Sequence, residues 1–234
     1  MTSARKPNLV VLTGAGISAE SGISTFRDAG GLWEGHDVME VASPEGWEAN
    51  PKLVLEFYNQ RRIAAREAKP NLAHKLLASL EEYYNVVVIT QNVDNLHERG
   101  GSSKVIHLHG ELGKSRSTDR SSLVYDIEGT ELNWGDTCEL GSQLRPNIVW
   151  FGEMVPLLDS AATITKGADV FAVIGTSLVV YPAASLIHYV PRESNIYIID
   201  PNMPTVADSA NLYKIEEPAT TGTQMLFNIL TVSN

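Results

Sequence analysis

The stretch from residue 8 to residue 27 constrains the chain more than any other. Leu9 to Leu12 is a short apolar run rich in β-branched residues, which reads as a buried strand rather than one face of a helix. Thr13-Gly14-Ala15-Gly16 then turns sharply, and Ser18, Ala19 and Glu20 can open a helix. A strand, glycine turn and helix start in that order aims backbone N–H groups and a helix dipole at an anion. Gly14, Gly16 and Ala19 fit G-x-G-x-x-[G/A], whose small residues let backbone approach a pyrophosphate. Glycines that only make a tight turn would match equally well. The fingerprint also asks for a second strand ending in Asp or Glu about 20 residues later. Gly30 to Asp37 reads as no strand, so a ribose-reading group must come from elsewhere.

At 234 residues the chain can bury a large core, as one domain or one domain with a smaller lobe. No apolar stretch approaches the roughly 18 residues of a membrane span, and Met1 to Pro7 lacks a signal-peptide apolar region. A cytoplasmic protein without a membrane partner is therefore expected. The net charge of −10 argues against nucleic acid as a partner and is compatible with basic peptides. Cys138 is the only cysteine, which excludes an internal disulfide and a zinc site of four cysteines.

Residues 28–51 read as an irregular polar and aromatic excursion punctuated by Gly30-Gly31, Pro44 and Pro51. Helical spacing follows from Pro51 to about Glu67, and again from Asn71 to Tyr83. Buried strands are expected at Val86–Ile89, Val105–Leu108, Val170–Ile174, Ile196–Ile199 and Leu212–Ile215, with a closing helix over about 223–230. Residues 112–146 change character. Lys114 to Ser122 reads as a surface loop, and scattered Trp134, Leu140 and Leu144 as a small, loosely structured β lobe. Strands alternating with helices imply an α/β fold, a mostly parallel sheet covered on both faces. Ligands of such sheets bind beyond the carboxyl ends of the strands. The polar clusters Gly14–Ser18, Gln91–Asp94, His109, Gly175–Ser177 and Asp200–Asn202 all fall there.

In that order the chain resembles the sirtuins, the NAD-dependent protein deacylases. The resemblance runs from about residue 8 to 230. It is carried by Gly14-Ala15-Gly16-Ile17-Ser18, Gly22-Ile23, Phe26-Arg27, Thr90 to His97, Leu108-His109-Gly110, Arg145-Pro146, Phe151-Gly152-Glu153 and Gly175-Thr176-Ser177-Leu178. It implies a Rossmann-like domain from residues 1–28, 70–111 and 146–234. A smaller lobe would be built from two insertions, 29–69 and 112–145. The second insertion normally carries two Cys pairs on zinc. Here Ser117 and Asp119-Arg120 stand at the first pair and only Cys138 near the second, so no metal is expected. Packing and polar contacts must then hold this lobe.

The implied reaction joins NAD and an acylated lysine in a protein or peptide. The acyl oxygen attacks the ribose carbon as nicotinamide leaves, and a base activates a ribose hydroxyl against the resulting imidate. Water then frees lysine and an O-acyl-ADP-ribose. His109 is the expected base, since an imidazole titrates near neutral pH. His107 lies deeper in the strand, and the remaining histidines read as structural or surface. The resemblance puts Gln91, Asn92 and Asp94 at the nicotinamide and ribose. Gly14, Ala15, Gly16, Ser18, Gly22, Ile23, Phe26, Arg27, Gly175, Thr176 and Ser177 would line the rest of the cofactor. Asp200 and Asn202 would read ribose, and Ala219 would border adenine. Within the family the chain looks closest to the bacterial and mitochondrial class that removes acidic acyl groups. That class has a Tyr-x-x-Arg pair, here Tyr58 and Arg61, and a small pocket residue, here Ala42. Three apart, Tyr58 and Arg61 share a helix face and can hold a carboxylate; an isolated pair of this kind is more often a solvated arginine beside a half-buried tyrosine, and it is the resemblance that favours the carboxylate. Val149, Phe151, Gly152 and Glu153 would offer backbone to the substrate peptide. Succinyl, malonyl or glutaryl groups are the expected substrates, with acetyl slower. ADP-ribose transfer to protein, or a non-catalytic NAD-binding module, would use the same residues.

Overall fold

A computed structural model describes residues 5–24 and 32–232. In chain order its strands are β1 Asn8–Thr13, β2 Leu32–Trp33, β3 His36–Asp37, β4 Asn85–Thr90, β5 Val105–His107, β6 Gly110–Ser117, β7 Val124–Asp126, β8 Leu144–Ile148, β9 Val170–Ile174, β10 Asn195–Ile199 and β11 Leu212–Ile215. The helices are α1 Gly16–Ala19, α2 Val38–Val41, α3 Pro44–Ala49, α4 Pro51–Glu67, α5 Leu72–Ser79, α6 Leu96–Arg99, α7 Leu158–Thr165 and α8 Ala219–Val232.

Six strands form one parallel sheet in the order β11-β10-β9-β1-β4-β5. The expected α/β architecture is therefore present. Side chains alternate along β1, so Leu9 and Val11 meet Leu77, Leu80, Leu226 and Leu230 on one face. Val10 and Leu12 meet Phe171, Leu186 and Ala161 on the other. With both faces covered, β1 is apolar from Leu9 to Leu12, which is why its sequence reads as a run rather than an alternation. The chain winds from β1 to β4 and β5, then returns to β9 on the opposite side of β1. That reversal makes a switch point between β1 and β9, the usual place for a ligand in a sheet of this kind.

A second unit packs beside the sheet's carboxyl edge. α4 starts where Asn50 accepts the Leu53 amide and Pro51 supplies a fixed φ at the first turn. It buries Val54, Phe57, Tyr58 and Ala65 with Ala42, Leu112, Ile148 and Trp150. A three-stranded antiparallel sheet, β7-β6-β8, completes the unit.

Several expectations are corrected. Residues 32–49 are not irregular: they hold the β2–β3 hairpin and the short helices α2 and α3, whose caps are the Asp37 carboxylate and the Ser43 hydroxyl. Lys114 to Ser117 is strand, not loop. Ser115 and Ser117 are buried there while Lys114 and Arg116 are partly exposed. Trp134 and Leu140 are 55% exposed and form no core; Leu132 and Cys138 are the buried apolar residues of that segment. The second helix is helical to Ser79 and ends in a 3₁₀ turn, Leu80–Glu82. α8 begins at Ala219, one turn earlier than its apolar pattern, because Glu20 accepts both the amide and the hydroxyl of Thr220.

The tip of the small sheet is held by hydrogen bonds. The Cys138 thiol donates to the Ser117 hydroxyl at 3.5 Å, and that oxygen accepts the amides of Asp119 and Arg120. The Ser142 hydroxyl donates to the Asp119 carboxylate, and the Cys138 amide to the Ser142 carbonyl. One thiol and one hydroxyl facing each other do not make a tetrahedral thiolate set, so these residues do not fit a structural zinc.

Two histidines are buried beneath the sheet edge. His97 Nε2 lies 3.0 Å from the Thr13 hydroxyl, which reaches Thr90, and His74 stacks edge-on against His97 at 4.9 Å. Burial pushes His74 down to about 4, and burial with the neighbouring His74 and His107 pushes His97 well below its ordinary value. Because their folded values lie below the unfolded value of about 6.5, the unfolded chain takes up protons first as pH falls. Stability should therefore drop from about pH 6.5 downward, by about 3 kcal/mol from His74 alone once pH is below 4. His107, held above its ordinary value, opposes the trend. Denaturant midpoints between pH 7 and 5 should show the loss, and His74→Gln should flatten it.

Candidate active site

The site forms at the carboxyl ends of β1, β4, β5 and β9. Past Thr13, the Gly14 amide donates to the Ile174 carbonyl at 3.1 Å and the Gly16 amide to the Gly175 carbonyl at 2.9 Å. A Cβ on Gly14 would stand 2.6 Å from the Thr176 Cβ, so the two turns touch with no room for a side chain. The expected helix does open here, but α1 is a single turn, so its dipole contributes little. Ile17 and Ser18 donate back to Gly14 and Ala15. The amides of Ala15, Thr176 and Ser177 remain without acceptors among the described residues. Free amides around a glycine-lined cleft suit a pyrophosphate.

β4 ends in Thr90, whose hydroxyl accepts the Asn92 amide and starts the turn that carries the polar cluster. The Asn92 amide group donates to the Gly14 carbonyl and to the Ser18 hydroxyl, both at 3.1 Å. Ser18 in turn donates to Asp94 at 3.2 Å, and the Leu96 amide donates to the other Asp94 oxygen at 3.0 Å. Burial raises the Asp94 carboxyl above its ordinary value, against these hydrogen bonds. The Gln91 side chain donates to the Thr176 hydroxyl at 3.1 Å, tying β4 to the turn after β9. Gly14, Ser18, Asn92 and Asp94 thus form one network, with the Gln91–Thr176 link beside it.

His109 follows β5. Its Nδ1 lies 3.0 Å from the Gln91 carbonyl. A carbonyl only accepts, so Nδ1 carries the proton and Nε2 holds the lone pair. Nε2 has no partner among the described residues. Burial lowers the His109 value, partly offset by the Gln91 carbonyl, so the ring is neutral near pH 7 and fit to act as a base. His107 differs. Both of its nitrogens meet acceptors, the Asn92 carbonyl at 3.0 Å and Glu98 at 2.8 Å. Burial opposes its charge, but Glu98 and the carbonyl hold it above the ordinary value. It is an ion-paired clamp on the loop.

Other expected residues sit nearby in varied ways. Gly22 has φ +85°, and the Ile23 amide donates to the Ser18 carbonyl at 3.3 Å while its side chain packs on the cluster around Phe57 and Tyr58. Asp200 is buried at the end of β10 and accepts the Asn202 amide at 2.8 Å; Ala219 is buried at the start of α8. Phe26 and Arg27 lie outside the described residues.

Ala42 and Tyr58 lie in one buried cluster. The Tyr58 hydroxyl is fully buried and accepts from Trp150 Nε1 at 3.1 Å; burial pushes it up. Arg61 is 8% exposed, pairs through Nη1 with Glu34 at 2.9 Å and lies 4.8 Å from the Trp33 ring. Its guanidinium is lowered by burial and raised again by Glu34, Tyr58 and Asp94. The Val149 amide donates to the His109 carbonyl at 2.9 Å, which sets the 149–153 segment beside the base. Glu153 has its side chain engaged inward. It accepts from Arg116, Arg145 and the Trp150 amide, and Arg145 lies 3.3 Å from the Trp150 ring.

Sequence reasoning missed three supports. Asn71 caps α5 while its side-chain amide donates to the Ile17 carbonyl at 2.7 Å; an Asn directly before an apolar helical run was the available signal. Arg62 donates to the carbonyls of Leu112 and Thr130, and nothing in a linear sequence marks such long-range backbone partners. Glu34 is the third.

The family model described as "Sir2 family" matches residues 14–182. A Helicobacter pylori protein named NAD-dependent protein deacylase is 58% identical over 212 residues, covering 91% of this chain and 90% of that protein. A Bacteroides thetaiotaomicron protein of the same name is 53% identical over 228 residues, covering 95% and 97%. The crystal structure of a Sir2 homologue in complex with NAD superposes with a TM-score of 0.87 at 40% identity, covering 97% of this chain and 91% of that one.

Proposed function

The chain belongs to the Sir2 family, and from that premise we propose that it is a lysine deacylase tuned to acyl groups ending in a carboxylate. It is an NAD-dependent protein deacylase, with NAD as co-substrate. The finer reading is that succinyl, malonyl and glutaryl groups are removed faster than acetyl. Its main support is Arg61, a nearly buried guanidinium beside Tyr58 on one face of α4. A buried cation held for a carboxylate chain is what an acid-selective pocket needs.

The cofactor supplies a ribose carbon that captures the acyl oxygen as nicotinamide departs. The chain's own residues do the rest. The free amides of Ala15, Thr176 and Ser177 would hold the pyrophosphate, with no side chain in the way at Gly14, Gly16 and Gly175. Asn92 and Asp94, locked through Ser18, would face the nicotinamide end, where a buried carboxylate steadies developing positive charge. His109 Nε2 would take a proton from a ribose hydroxyl, Nδ1 staying on the Gln91 carbonyl throughout. Asp200, Asn202 and Ala219 would face ribose and adenine, and Val149 to Glu153 would seat the peptide. The same reading takes the lobe tip at Ser117 and Cys138 to be held by hydrogen bonds in place of a metal.

Steady-state rates on matched acetyl- and succinyl-lysine peptides with NAD test the substrate reading. The succinyl peptide should react faster, and Arg61→Met should cut its kcat/KM by roughly 10- to 100-fold, the value of a charged hydrogen bond. The acetyl rate should change far less. Equal rates on both peptides, unmoved by Arg61→Met or Tyr58→Phe, would overturn it.

A further inference from the structure

Arg61 is already occupied. The carboxylate of Glu34 touches Nη1 at 2.9 Å, while Arg61 Nε is buried without a partner among the described residues. Glu34 is itself 46% exposed, so its carboxylate can leave for water at little cost. It sits at the tip of the β2–β3 hairpin with φ +50°, followed by Gly35 at +83°. Two successive positive φ values are the mark of a type I′ turn, which favours Asn-Gly or Gly-Gly. A glutamate there is strained by its Cβ, and among the described residues its side chain makes no local cap to compensate. Among the described residues its one ion pair is with Arg61. Trp33, next in the hairpin, lies 4.8 Å from the same guanidinium and packs edge-on against Phe57 and Tyr58. The hairpin therefore carries both a ring and a carboxylate to one cation.

We propose that Glu34 is an internal substitute for the substrate's acyl carboxylate, paired with Arg61 until a carboxylated chain displaces it. This rests on the acid-pocket reading above and extends it. The physical reason lies in Arg61's burial. A guanidinium left bare beside a neutral acetyl chain would be a buried unpaired charge, whereas Glu34 keeps it neutralised. With a succinyl chain in place, the substrate carboxylate takes over and Glu34 swings into solvent. One pocket then accepts both acyl types, and part of the affinity for acidic chains is spent on displacement. Glu34 is thus a specificity-determining residue that never touches the reacting atoms.

Glu34→Gln keeps the shape and removes the charge. The test measures KM and kcat for succinyl- and acetyl-lysine peptides with NAD in the wild type, Glu34→Gln, Arg61→Met and the double variant. Removing a competitor of a half-exposed pair should lower the succinyl KM about fivefold, with kcat and the acetyl KM moving less than about twofold. In the Arg61→Met background the same substitution should shift neither KM, because the competition runs through Arg61. A succinyl KM unchanged or raised by Glu34→Gln, or lowered equally without Arg61, overturns the role of Glu34. If Arg61→Met alone leaves the succinyl peptide unaffected, the acid pocket itself fails and this inference falls with it. An intact Arg61 dependence with an unmoved Glu34→Gln removes only the inference.

Discussion

Replacing His109 by alanine should lower kcat for deacylation by roughly 10²- to 10⁴-fold, the range for loss of a positioned general base. The expectation follows from the ring's two ends. Nδ1 is fixed as a donor by the Gln91 carbonyl at 3.0 Å, so Nε2 is the only basic atom, and it has no protein partner among the described residues. The ring meets the turn after β9 only indirectly, through Gln91 and its hydrogen bond to Thr176. Cofactor affinity should therefore survive the substitution, and labelled nicotinamide should still exchange into NAD, since the base is needed only after nicotinamide has left. The pH profile gives a second check. Because burial lowers the His109 value, wild-type kcat/KM should stay flat near neutrality and fall only as pH drops below about 6.5. The variant's residual rate should lack that acid limb. Equal deacylation rates in the two proteins, or loss of nicotinamide exchange along with deacylation, would remove His109 from the base's role.

The parts of this fold that were legible in sequence are those where one physical signal decides the outcome. β1, β4, β9 and β10 are short runs of β-branched residues because both their faces are covered. Each ends in a polar or glycine cluster because the chain there must leave the sheet at its ligand edge. What escaped had its signal divided between faces or between distant segments. β6 reads as a polar loop at Lys114 to Ser117, yet Ser115 and Ser117 are buried; their pairing with β8 and the contact of Ser117 with Cys138 replace the apolar alternation a strand usually shows. α2 and α3 are too short for a helical period, and only their capping residues Asp37 and Ser43 announce them. The site shows the same division. Residues that act through their own turn, such as Gly14, Asn92 and Asp94, are recognisable in order along the chain. Glu34 acts across 27 positions on Arg61, and Glu153 gathers Arg116 and Arg145, contacts that depend on folding and leave no local pattern.

Gly175→Ala should be among the most damaging single methyl groups that could be added to this protein. Gly175 has φ +63°, where an L-residue costs about 1–2 kcal/mol. The added Cβ would also stand 2.4 Å from the Ile17 nitrogen and 2.6 Å from the Gly16 carbonyl carbon. Both are backbone atoms at the start of α1, which cannot rotate aside as a side chain would. Separating them breaks the Gly16 amide's bond to the Gly175 carbonyl and moves the free amides of Ala15 and Thr176 apart. Overpacking against backbone adds about 1–3 kcal/mol, so the total loss is on the order of 2–5 kcal/mol, or roughly 10 °C in Tm for a chain of this size. NAD affinity should fall with it, since the two turns form the floor of the same cleft. Gly167→Ala is the control: its φ is not in the left-handed region and its nearest neighbour, the Ile164 carbonyl oxygen, would be 3.5 Å away. That variant should unfold within about 0.5 kcal/mol of the wild type. If thermal melts showed the two substitutions to be equally mild, the close meeting of the β1 and β9 turns could not be what fixes the glycines there, and the cofactor floor would have to be sought elsewhere.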